Sequence, residues 1–133
     1  MKSLLPWIRS VVALIVGVVS IVLFHKPAEL AFPDLYTQTL SCDADRSLML
    51  LLIFLAGLVG SVVVGLIARH RLWLHLAIFF IIMAVFDVQA ILGPFASQPV
   101  WFKALVLGAL PFQAWLGGLI AKAVCPGAYR PAA

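Results

Sequence analysis

Charge is what this sequence has least of. Only 11% of its 133 residues are charged, and just five are acidic, where a soluble domain carries roughly a quarter charged residues. So few ions cannot coat a water-facing surface, which excludes an ordinary soluble globule. Cysteine is scarce as well, with two in the chain. Cys42 and Cys125 fall on opposite sides of the membrane pattern described below, so no intramolecular disulfide is expected. The three histidines and two cysteines show no H-x-x-x-H or C-x-x-C spacing, and neither a metal site nor a haem is expected. There is no nucleophile–base–acid set and no phosphate loop, so the expectation is a non-enzymatic protein without a cofactor. The net charge of +4 comes from basic residues scattered singly, without an aromatic-interleaved patch. Nucleic acid is therefore not an expected partner.

Apolar residues fill the space that charge leaves, at 65% of the chain. They fall into four runs, about 4–24, 48–68, 72–93 and 104–124. At ~1.5 Å of rise per residue, a helix of about twenty residues matches the ~30 Å hydrocarbon core of a bilayer. The second run, Leu48–Ala68, contains no charge at all. The first has the look of a signal peptide, but Lys26 and Glu29 stand where a cleavage site wants small residues, so it reads as a retained helix. Trp7 and Arg9 suit its interfacial end. Arg69-His70-Arg71 leaves almost no loop between the second and third runs, which makes them an antiparallel hairpin. Cys125-Pro126-Gly127 ends the fourth. The one long polar segment, 25–47, contains Glu29, Asp34, Asp43 and Asp45. Pro27 and Pro33 are expected to break any long helix there, leaving an outer loop with at most a short turn over 28–32.

The fold expected is thus all-α, a single transmembrane domain over 1–133 built as a bundle of four membrane-spanning helices. Its orientation follows from the cations flanking the spans. Lys2, Arg9, Arg69, Arg71, Lys122 and Arg130 lie on one side without an acid; Lys26, Arg46 and Lys103 share the other side with four acids. The positive-inside rule then puts both termini in the cytoplasm, N-in and C-in. Compact size and short loops suit the inner membrane of a bacterium.

Within the spans, Asp87 is the only carboxylate. An Asp near the centre of a helix costs about 2.5–3.5 kcal/mol on insertion scales. It serves either as a hydrogen-bonding glue between helices or as a protonatable site for ion, proton or substrate handling. Gln113 in the fourth run is one candidate partner. The carbonyl of Leu107, which Pro111 cannot reach with an N–H, is another. Gln89, two residues from Asp87, projects from a different helix face. Small residues form seams. Ala56 and Gly60 follow spacing four in the second run, with Gly57, Ser61 and Gly65 beside them; Ala114 and Gly118, with Gly117 and Ala121, do the same in the fourth. Such seams let helix backbones approach closely.

In size and helix count the chain resembles, in outline, small multidrug transporters and fluoride channels. It departs from the first in having no acid in its first span, and from the second in its polar and aromatic pattern. The leading expectation is an accessory, assembly or immunity-type subunit that acts by packing helices in the lipid bilayer, against itself as a homo-oligomer or against a partner membrane protein. The alternative is a small oligomeric proton-coupled transporter or channel using Asp87.

Overall fold

A computed structural model describes residues 4–37, 40–69 and 71–129 of the chain. Lys2, His70 and Arg130, which enter the charge and histidine patterns above, lie outside the described residues. The element order is α1 (Leu4–Ala31), α2 (Pro33–Thr37), α3 (Asp43–Ile67), α4 (Leu72–Leu92) and α5 (Val100–Val124), followed by a 3-10 turn over Pro126–Tyr129. The described residues contain no strand. α1, α3, α4 and α5 are each long and apolar enough to cross a membrane, and they run alternately up and down as an all-helical bundle. Large apolar side chains cover the outside, among them Trp7 and Leu92 at 74% and 76% exposure. Hydrocarbon, unlike water, tolerates such a surface.

Three helix ends differ from the sequence expectation, and all three lie on the side carrying α2, called here the loop side. α1 continues past Phe24, through Pro27, to Ala31. Proline removes one backbone donor and crowds the carbonyl four residues earlier. Packing offsets this: Ala28 is buried in a loop-side core with Leu35, Leu40, Met49, Leu52, Phe102 and Val106. α3 begins at Asp43 rather than Leu48 because its polar first turn is well suited to a helix start. Asp43 and Asp45 meet the positive end of the helix dipole, and the Cys42 sulfur accepts from the Asp45 amide at 3.4 Å. α5 likewise starts early, at Val100, directly after Pro99. The segment 25–47 is therefore largely helical, with α2 as a separate short helix.

The opposite, hairpin side is held more tightly. Arg71, at φ 51°, takes the left-handed conformation that reverses the chain between α3 and α4. That conformation costs roughly 1–2 kcal/mol for a non-glycine residue. Its carbonyl accepts from the Leu74 amide at 3.0 Å and lies 3.0 Å from His75 Nδ1. His75 Nε2 lies 2.7 Å from Ser10 Oγ and joins α4 to α1. Arg9 folds back so that its Nε donates to the Ile67 carbonyl at 2.6 Å, placing a cation on the negative end of α3.

α3 is the central helix. It packs most extensively on α5 and α1, α4 leans mainly on α5, and α1 and α4 touch only slightly. The small residues of α3 sit at these contacts. A side chain on Gly60 would come within 2.8 Å of Phe79 of α4 and 2.9 Å of Ile21 of α1. Ser61 fills the space that Gly117 of α5 leaves open. Gly118 receives Leu76 and Trp73 of α4. Ala56, Gly57, Gly65 and Ala121 are buried, and Ala114 is half-buried.

Candidate functional site

Because α1 and α4 converge at the hairpin side and barely touch elsewhere, the loop-side half of the bundle encloses a cavity of about 550 Å³. Val18 to His25 of α1 face Met83 to Ala90 of α4 across it; α3 and Gln113 of α5 form its back wall. The α2 residues Leu35 and Tyr36 close the loop-side end. Phe79, 1% exposed, fills the bundle between α1 and α4 on the hairpin side of the cavity. Val22 and Phe86 line the cavity and are still 55% and 50% exposed, so it opens sideways, toward lipid, between α1 and α4.

The walls are mostly apolar, with five polar side chains: His25, Tyr36, Asp87, Gln98 and Gln113. Four of them have partners. His25 Nδ1 and Tyr36 Oη lie 2.7 Å apart, tying α2 to the end of α1. Burial, and then the negative charge of Glu29, hold the Tyr36 phenol above its ordinary value of 10.0, so it stays protonated and able to donate at neutral pH. Gln98 is buried, and its Oε1 accepts from Arg46 Nε at 2.9 Å. Arg46 also pairs with Asp43 at 2.7 Å, so one guanidinium ties the α4–α5 connection to the start of α3. Gln113, 3% exposed, makes a long 3.5 Å contact from Nε2 to the Ile53 carbonyl. Its carboxamide lies directly against Gly57, where any side chain would collide with it.

Asp87 is the exception. Its Oδ2 is the one buried side-chain nitrogen or oxygen among the described residues that has no hydrogen-bond partner. It sits five residues before the end of α4, about 7–8 Å along the helix axis. Neither Gln113 nor the Leu107 carbonyl satisfies that oxygen, so the interhelical glue expected of Asp87 is missing there. Burying a polar atom without a partner costs about 1–3 kcal/mol, and more for a charged group. Native proteins seldom leave such an atom unpaired, and each instance calls for an explanation.

Asp87 and Gln113 therefore share one cavity. Gln89 does not belong to it: its side chain is exposed on the outside of α4, as the two-residue offset from Asp87 dictates. The sequence reading missed the contributions of His25, Tyr36 and Gln98. They sit at helix ends or in connections, where no periodic pattern marks an inward face; the only signal was the presence of aromatic and amide residues in otherwise polar linkers. The described residues hold no cluster of three or more His, Cys, Asp or Glu suited to a metal ion. No protein-family model, curated protein or solved structure matches this chain.

Proposed function

We propose that this multi-pass membrane protein is a small intramembrane carrier that binds a lipophilic small molecule in its loop-side cavity, with Asp87 as the coupling residue. One observation carries this: a cavity of about 550 Å³, open toward lipid and mostly apolar, contains a single carboxylate with an unpartnered buried oxygen. Small-molecule sites span roughly 300–1,000 Å³, with apolar walls and a few converging polar groups. An ionisable residue inside a membrane span marks a functional pathway by default. The helices, with both termini on the cytoplasmic side of a bacterial inner membrane, would then expose the cavity in the outer half of the bilayer. In this proposal the protein catalyses no covalent chemistry.

The accessory-subunit reading keeps one favourable observation. A shallow groove on the lipid-facing side of α5, with Phe54, Phe112 and Trp115 around Gly108, has nothing within 4 Å of where a Gly108 side chain would stand. A partner helix could pack there. The small-residue contacts at Gly57, Gly60, Gly117 and Gly118 are already filled from within the chain, which weakens that reading relative to the first.

Native mass spectrometry of the chain extracted in mild detergent separates the two. A small-molecule adduct on the wild type that disappears in Ala90→Trp, which fills the cavity from α4, supports the carrier. A stoichiometric protein partner and no small-molecule adduct would sink it.

A further inference from the structure

The chemistry of the cavity narrows what it can hold. Its walls come mainly from aliphatic and aromatic side chains, and its mouth faces the bilayer between Val22 and Phe86. A ligand arriving by that route must dissolve in lipid and must have an apolar body to replace the contacts it leaves. Each of the other polar side chains has a partner for one of its atoms: His25 with Tyr36, Gln98 with Arg46, and Gln113 with the Ile53 carbonyl. Asp87 remains, with a buried oxygen that accepts from nothing. No lysine or arginine lines the cavity among the described residues.

Three ligand classes can be compared on that carboxylate. An anion would set like charges together in a medium of low dielectric, where repulsion is strong. A neutral lipophile would fill the walls and leave the carboxylate as it is. A cation with an N–H supplies both missing elements, a counter-charge and a donor, and charge-assisted hydrogen bonds of this kind are the strong ones. A bare inorganic cation is a poor match. Calcium takes 6–8 oxygen ligands, and here a single carboxylate faces apolar walls.

We infer that the cavity binds a lipophilic protonated amine, whose N–H⁺ donates to the Asp87 carboxylate while its hydrocarbon body packs between α1 and α4. This deepens the carrier reading and rests on it. The amine enters sideways from the bilayer. Its charge is neutralised only at Asp87, so head and body are bound by different parts of the cavity. A quaternary ammonium, with no N–H to donate, is a weaker ligand than a protonated amine of the same size.

The test is equilibrium dialysis of 4-phenylbutylamine against the full chain in detergent micelles at neutral pH. Empty micelles serve as reference, and 4-phenylbutanol, the same body with an uncharged end, is measured in parallel. The amine is expected to be retained roughly tenfold or more above the alcohol, the scale of a buried hydrogen bond to a charged group. Asp87→Asn is expected to bring the amine down to the alcohol's level and leave the alcohol unchanged. Equal retention of amine and alcohol by the wild type, or amine retention unaffected by Asp87→Asn, overturns the cation assignment while leaving the cavity a binding site. Retention of neither compound overturns both. The comparison of two compounds on the wild-type chain does not depend on any variant folding.

Discussion

Asp87 shows how much a single side chain in a membrane helix can reveal once its neighbours are known. A carboxylate that glues helices is held by donors, and losing it leaves those donors buried and unsatisfied, at about 1–3 kcal/mol. Asp87 has an oxygen without any donor. Replacing it with asparagine removes an ionisable group from a low-dielectric site and keeps the shape. Asp87→Asn should therefore leave the bundle as stable as the wild type or up to about 1 kcal/mol more stable. Unfolding of the purified protein in a denaturing detergent measures this, and a loss of 2 kcal/mol or more, on the scale of a broken buried hydrogen bond, would restore the glue role. The sequence marked Asp87 as exceptional because a charge inside an apolar run is conspicuous. It did not reveal whether a partner faces it, since that partner must come from another helix.

At the scale of elements, α3 is the helix on which the others pack. Its small residues recur at spacing four, and that pattern is readable in sequence because one face of a helix repeats with that period. The pattern does not say which helix fills the face. Gly57 takes Gln113 of α5, and Gly60 takes Ile21 of α1 and Phe79 of α4. A methyl group at Gly57 would collide with the Gln113 carboxamide, whereas one at Gly108 meets nothing within 4 Å. Gly57→Ala is accordingly expected to cost about 1–3 kcal/mol by overpacking. Gly108→Ala should cost nothing and can add up to about 1 kcal/mol of helix propensity. Detergent-unfolding midpoints of the two variants compare them directly; similar losses in both would mean that these glycines do not differ in what surrounds them. The α1 helix end teaches the complementary lesson. A proline rule applied to Pro27 ends the helix, but burial of Ala28 in the loop-side core carries it on to Ala31.

At the scale of the whole molecule, four apolar helices and a pair of tight connections make a bundle with a closed hairpin side and a hollow loop side. The hairpin side is joined by Ser10–His75, by Arg9 on the Ile67 carbonyl and by Lys122 over the Trp73 ring at 4.9 Å. The loop side is joined around a rim, through His25–Tyr36 and Arg46–Gln98. The flanking cations predict which side faces the cytoplasm. A reporter that is active only outside the cytoplasm, fused after Arg130, should be silent, and one active only inside should work. The reverse result would invert the cavity's position in the membrane while leaving its chemistry intact.

The number of membrane-length helices, their approximate limits and their apolar character were determined by sequence alone, because hydropathy is a sum over neighbours in the chain and bilayer thickness sets its length. The cavity, the polar side chains that line it and the unsatisfied Asp87 oxygen were decided only by tertiary structure. They arise where α1 and α4, distant in sequence, part company over α3, and no local pattern of residues records the distance between two helices.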